Sequence, residues 1–198
     1  MEPQKHMSRI PFRDALQTLA DARKNSDVVI TNQGSARVWP LIATHPLDFH
    51  FNPSTMGGAI PLATGLALAQ PERNVIVLSG DGSLLMSLGS LVSSVAARCR
   101  NLTVILLDND RYDVTGGQDT AATDLNMRFD DMARAVGFES VSTYCDGPHW
   151  QRDVESVLQA TGPRFSWLKV EAALPDDMKT PPEPMWKQQS RFHEALNA

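Results

Sequence analysis

Three short apolar runs, each breaking off at a polar turn that carries glycine or asparagine, constrain this chain more than any other feature. They are DVVIT at 27–31, closed by Asn32-Gln33-Gly34-Ser35; VIVLS at 75–79, closed by Gly80-Asp81-Gly82-Ser83; and LTVILL at 102–107, closed by Asp108-Asn109-Asp110. A strand that is apolar at nearly every position, not every second one, is covered on both faces. Between the runs lie MGGAIPLATGLALA and SLLMSLGSLVSSVAAR, dense in Ala and Leu and long enough for helices. Strands of this kind alternating with helices predict an α/β fold: a doubly wound parallel sheet with helices on both faces. In such sheets ligands sit beyond the carboxyl ends of the strands. The turns at 32–35, 80–83 and 108–118 occupy that edge.

The remaining elements follow the same alternation. Pro11 precedes apolar residues at Phe12, Leu16, Leu19 and Ala20, the spacing of a first helix reaching about Lys24. A helix at about 130–135, a strand near 139–143, a helix near 149–161 and a strand over 165–170 complete the pattern. After that the sequence turns to LPDDMKTPPEP, which cannot carry a regular element. The expected organisation is one domain over 1–172, then a Pro-rich connector and a short helix over 173–198. That helix would present Trp186, Phe192 and Leu196, either to the core or to another subunit.

Composition excludes several classes. A chain of 198 residues with 42% hydrophobic and 21% charged residues can bury an ordinary core. Its net charge of -5, with both signs interspersed, gives no basic stripe for nucleic acid. The first ten residues hold no apolar run of leader length, and no apolar stretch is long enough to span a membrane; the expected setting is cytoplasmic. Cys99 and Cys145 stand far apart without a CxxC or HxxxH spacing, so both read as ordinary cysteines.

Chemistry concentrates at the turns. A carboxylate ending one strand, Asp81, and an amide ending another, Asn109, are hard oxygen donors suited to Mg²⁺ bridged to a diphosphate. Glycines beside the carboxylate let backbone approach phosphate closely, and Ser83 is placed to open a helix whose amino end favours anions. A lone Gly-Asp-Gly is also a common tight turn. What makes it specific is the context: an apolar strand before, a helical stretch after, and a second apolar strand ending at Asn.

In this pattern the chain resembles the thiamine diphosphate (ThDP)-dependent enzymes, over about 27–170 and most sharply over 80–120. The resemblance implies Mg²⁺ ligands from Asp81, Asn109 and the backbone carbonyl of Arg111. It implies diphosphate contacts from Gly80, Gly82, Ser83, Gly34 and Ser35. In the loop Ser54-Thr55-Met56-Gly57, it implies that Met56 props the cofactor into its bent shape and that the Ser54 carbonyl accepts from the aminopyrimidine. It also implies that the TGGQ segment, Thr115 to Gln118, lies over the thiazolium end of the cofactor.

GDGSLLMSLGSL, NLTVILLDN and YDVTGGQDT look like the sulfopyruvate and phosphonopyruvate decarboxylase subgroup, with this chain resembling the beta subunit. That implies decarboxylation of a small anionic 2-oxo acid to an aldehyde, and a pyrimidine-domain (alpha) partner carrying the essential Glu, for which no motif exists here. It also implies self-association when the chain is alone. Arg111 departs from the small residue usual at its position. Met86, by contrast, reads as core filling, and His45 and His50 as surface or structural histidines. The alternatives are the beta subunit of a 2-oxoacid oxidoreductase, which would need cluster cysteines, an acetolactate-synthase-like subunit, or a non-catalytic binding module on the same fold.

Overall fold

The computed structural model describes residues 9–198 other than 54, 126, 180 and 182. In chain order the elements are α1 (Phe12–Ala22), β1 (Val28–Asn32), α2 (Gln33–Val38), β2 (Asp48–Phe51), α3 (Ala59–Ala69), β3 (Val75–Gly80), α4 (Asp81–Leu85), α5 (Gly89–Ala96), β4 (Leu102–Asp108), β5 (Arg111–Tyr112), β6 (Gln118–Asp119), α6 (Ala121–Leu125), α7 (Phe129–Val136), β7 (Ser140–Tyr144), α8 (Gly147–Gln159), β8 (Arg164–Lys169) and α9 (Met185–Leu196).

Six strands form one sheet in the order β2-β1-β3-β4-β8-β7, every pair parallel. The apolar runs divide their side chains between two cores, as the period of two demands. Val28, Ile30, Val75, Val77, Val104 and Leu106 face α3, α5, α7 and α9. Val29, Ile76, Leu78, Ile105 and Leu107 face α1, α2 and α8. The doubly wound parallel sheet expected from the sequence is therefore present, with β1, β3 and β4 at its centre. From β1 the chain winds outward to β2 and then returns to the other side as β3, so the direction of winding reverses between β1 and β3. At such a reversal the following loops part and leave a cleft.

Several local expectations change. The helix over 83–98 is two helices, broken at Met86–Leu88 by tight turns in which Ser87 N donates to Leu84 O and Leu91 N to Leu88 O. Ser87, Gly89 and Ser90 are weak helix formers, so little resists the break. Met86, expected in the core, projects from it and is 59% exposed. The helix after Gly80 begins at Asp81, two residues before Ser83. Likewise 33–38 is a short helix instead of a glycine turn.

The edge strand β2 has no counterpart in the sequence reading. Its Asp48 is buried but accepts from Trp39 Nε1 at 3.0 Å and pairs with Arg23. His50 is buried with Nδ1 2.9 Å from Thr31 Oγ1, which bears out its reading as a satisfied structural histidine. α9 covers this edge: Phe192 packs on Phe49 with ring centroids 5.2 Å apart. Gln188, fully buried, completes it: His50 N donates to its Oε1 at 2.7 Å, and its Nε2 donates to His50 O at 3.1 Å. Its amide thus occupies the place of another strand on an otherwise open edge. Of the three apolar residues expected on α9, Phe192 is core while Trp186 is 69% exposed. Among the described residues no helix is long and apolar enough to cross a membrane.

Candidate functional site

The turns following β1, β3 and β4 line one cleft at the carboxyl edge. It brings together nine of the residues singled out from sequence: Gly34, Ser35, Met56, Gly80, Asp81, Gly82, Ser83, Asn109 and Arg111. Gln118 lies outside that lining, exposed on the β5–β6 ribbon opposite Tyr112. Ser54 falls outside the described residues.

Ser83 joins three of these segments. Its Oγ is buried and accepts from Asn32 Nδ2, at the end of β1, and from the backbone N–H of Gly57, both at 3.0 Å. A hydroxyl with both acceptor positions used still has one proton to donate. Gly57 takes φ +85°, and a Cβ there would stand 2.7 Å from Ser87 Cβ, so the Met56–Gly57 loop depends on glycine to lie this close to the turn between α4 and α5. Ser35 is also buried, but its hydroxyl serves the start of α2, accepting from Asn32 N at 3.1 Å and donating to Asn32 O at 2.8 Å.

Asp81 is 1% exposed. Thr120 Oγ1 donates to its Oδ2 at 3.1 Å, and no Lys, Arg or His pairs with it among the described residues. Its neighbour Asp108 is buried too, held by Trp167 Nε1 at 2.7 Å and by the backbone N–H of Asp110 at 3.1 Å. Burial first, and then the Asp108 charge, pushes the Asp81 carboxyl above the ordinary range. Burial does the same to Asp108, with Asp110 adding to it. Backbone N–H groups of Gly82 and of Asp81 itself also reach the Asp81 carboxylate, yet a sequestered carboxylate pair with no basic side chain paired to it stays costly unless a proton or a cation joins it.

Asn109 directly follows β4 and is half-buried. Its Oδ1 accepts from Arg111 N at 3.0 Å and its Nδ2 donates to Asp113. Arg111 is exposed, its guanidinium 3.9 Å from Asp119. Over the turn at 80–83 lies Tyr112: a Cβ on Gly82 would be 2.5 Å from two of its ring carbons, so only glycine fits beneath the ring. Phe12, Asn32, Tyr112 and Asp113 join the cleft wall without having been assigned a role from sequence. Tyr112 and Asp113 belong to the quoted YDVTGGQDT segment, and Asn32 to the first turn, but nothing in residue type alone distinguishes them from loop residues. The Pro-rich connector also reaches this edge: Arg37 Nη1 donates to Met178 O at 2.9 Å, and Met178 lies beside Gly34.

These features suit a divalent cation with a diphosphate. The buried Asp81 carboxylate has no Lys, Arg or His partner among the described residues, Gly82 leaves backbone uncovered by any side chain of its own, and Ser83 has a proton to give. No group of three or more His, Cys, Asp or Glu side chains could hold a metal among the described residues. A metal here would accordingly share its coordination with a bound ligand, as Mg²⁺ does when it bridges phosphates.

A parallel α/β domain whose cleft sits at the winding reversal, with a buried carboxylate and an amide at adjoining strand ends, defines a cofactor-binding module of the doubly wound class. The chain belongs to the family described as thiamine pyrophosphate enzyme, C-terminal TPP binding domain, which matches residues 33–166. It is 39% identical to the sulfopyruvate decarboxylase subunit beta of Methanothermobacter thermautotrophicus over 145 residues, covering 73% of this chain and 74% of that one. It is 32% identical to the phosphonopyruvate decarboxylase of Streptomyces viridochromogenes over 164 residues, 82% of this chain but 40% of the relative. Among solved structures, a putative thiamin diphosphate-dependent enzyme from Mycobacterium smegmatis shares the fold with a TM-score of 0.70 at 20% identity, over 87% of this chain and 35% of that one.

Proposed function

We propose that this chain is the ThDP- and Mg²⁺-binding subunit of a 2-oxo acid decarboxylase acting on sulfopyruvate or phosphonopyruvate, together with a pyrimidine-domain partner. The observation that carries the reading is Asp81 and Asn109 at adjoining strand ends, in one cleft with Gly82 and Ser83, in a chain that covers most of a decarboxylase beta subunit. Asp81 and Asn109, with the Arg111 carbonyl, would hold the cation. The backbone at Gly34, Gly80 and Gly82 and the hydroxyls of Ser35 and Ser83 would hold the diphosphate. ThDP, when bound, supplies a stabilised carbanion equivalent, the chemistry that decarboxylation of a 2-oxo acid requires. The chain's own part would be orientation and charge: Asp81 would balance the charge of the cation, Ser83 has a proton left to offer a phosphate oxygen, and Met56 would support the reactive ring. Ser54, through its carbonyl, and Gln118, on the exposed ribbon opposite Tyr112, would complete the set toward aminopyrimidine and substrate.

Need of a partner is supported by the surface as well as by relatives. The sequence holds no Asp, Glu, Lys or Arg over 51–70 or over 82–97. Those segments hold α3, α5 and all of α4 except the buried Asp81, and on them Leu68, Met86 and Val92 are more than half exposed. An uncharged helical face with protruding apolar side chains favours association. Residues up to about 172 are the binding unit in this reading, and 173–198 an arm packed along it. Reconstitution tests the proposal: the chain mixed with a pyrimidine-domain subunit should release CO₂ from sulfopyruvate or phosphonopyruvate faster than from pyruvate. Gln118→Ala should raise KM for the anionic substrate more than for pyruvate. The chain alone should release none. Turnover by the isolated chain contradicts the partner requirement, and a preference for pyruvate contradicts the substrate.

A further inference from the structure

A primary amide presents an oxygen and a nitrogen of nearly equal size, and which one faces a given direction is settled by partners alone. For Asn109 this matters, because an alkaline-earth cation accepts the oxygen and is repelled by the NH₂ group. Two neighbours settle it. The Arg111 N–H, which can only donate, meets Oδ1 at 3.0 Å, and the Asp113 carboxylate, which only accepts when ionised, takes a proton of Nδ2. Turning the amide over would set oxygen against carboxylate and NH₂ against N–H, two repulsions in place of two hydrogen bonds. Asp113 is itself fixed, accepting from the backbone N–H of Ala173 beyond β8, and it lines the same cleft.

We propose that Asp113 is a positioning residue for the metal site: it holds the Asn109 amide so that Oδ1 is the atom offered to the cation. This rests on the metal role proposed for Asn109 and goes beyond it by naming the residue that makes that role possible. A negative partner on the far side of an amide also polarises it and makes its oxygen a better donor, as outer partners do for other metal ligands. The backbone N–H of Arg111 survives any side-chain change, so Asp113 is the half of the clamp that substitution can remove.

The test uses the full chain with its partner subunit, Mn²⁺ as the probe and ThDP at saturation, with free Mn²⁺ read by electron paramagnetic resonance. Asp113→Ala should weaken Mn²⁺ binding by roughly 10- to 100-fold, the range seen when outer-shell partners are removed. Asp113→Asn, whose own carbonyl oxygen can still accept from Asn109 Nδ2, should lie closer to the wild type than to the alanine variant. The Tm of the metal-free protein should be alike in all three. Wild-type affinity in Asp113→Ala, equal losses in both variants, or a metal-free Tm that falls along with affinity would each overturn the positioning role. Absence of Mn²⁺ uptake by the wild type is a different failure: it removes the metal reading itself.

Discussion

Substituting Gly82 by Ala puts one methyl group under the Tyr112 ring, and its consequences can be followed in two steps. The new Cβ would lie 2.5 Å from Cδ1 and Cε1 of Tyr112, about 1 Å closer than carbon atoms tolerate. Tyr112 has little freedom to retreat as a unit, since its carbonyl accepts from Thr115 N and Gly117 N at 3.1 and 3.0 Å. The ring must therefore leave its rotamer. Overpacking of this kind costs about 1–3 kcal/mol, of which the better helix propensity of Ala recovers up to about 1 kcal/mol. The net loss of about 1–2 kcal/mol should lower the metal-free Tm by about 2–8 °C in a domain of this size. Adding Tyr112→Ala should return most of the stability that Gly82→Ala costs, because the two residues meet directly. Cofactor binding should not return, since the methyl still stands where the proposed phosphate approaches the backbone. Thermal unfolding and calorimetric titration with ThDP and Mg²⁺ on the two single variants and the double variant separate the effects. A Gly82→Ala variant that matches the wild type in both, or a double variant that binds ThDP like Tyr112→Ala alone, would rule out the clash and the close approach of phosphate at Gly82.

Two further outcomes follow from the β2 edge and one from the cleft. Gln188→Ala strips the His50 N–H and C=O of their partners in a buried place, at about 1–3 kcal/mol per group before water enters, so urea unfolding should show a loss of about 2–4 kcal/mol. A loss under about 0.5 kcal/mol would mean that the clamp is incidental. Burial holds His50 below its ordinary pKa, against Asp48 and Glu183 and helped by Arg191. The unfolded chain thus binds a proton that the folded one refuses; the stability is complete above about pH 6.5 and is lost as pH falls below it. His50→Gln should flatten that decline relative to the wild type, and parallel pH profiles would exclude His50 as its source. Asn109→Ala should weaken Mg²⁺-dependent ThDP binding less than Asp81→Ala, because water can replace a neutral ligand in part; equal losses in calorimetry would contradict this.

The sheet was legible because β1, β3 and β4 are central strands, and strands covered on both faces announce themselves as unbroken apolar runs. The edge strand β2 carries Asp48 and His50 inward, and its polarity is satisfied by Arg23, Trp39 and Thr31, residues distant enough in sequence to leave no local trace. Gln188 is harder still: a glutamine in an amphipathic helix reads as surface, and only the geometry of a strand 138 residues away makes it buried. Met86 misleads for the opposite reason. Apolar residues are assigned to a core by type, yet a break in the helix turned this one outward onto the uncharged face. In the cleft, the strand-end motif places Asp81, Asn109 and Ser83 together at the carboxyl edge by position. Tyr112 and Asp113 stand out only through what they touch, Gly82 and the Asn109 amide, and spacing does not encode touch.

The most direct measurement is calorimetric titration of the chain, assembled with its partner, with ThDP in the presence and absence of Mg²⁺, for the wild type and for Asp81→Ala. A diphosphate brought beside a buried carboxylate needs a cation between them. The expected result is saturable binding to the wild type with Mg²⁺, little without it, and none to Asp81→Ala under either condition. ThDP affinity that is the same with and without metal, or that survives Asp81→Ala, would contradict the account.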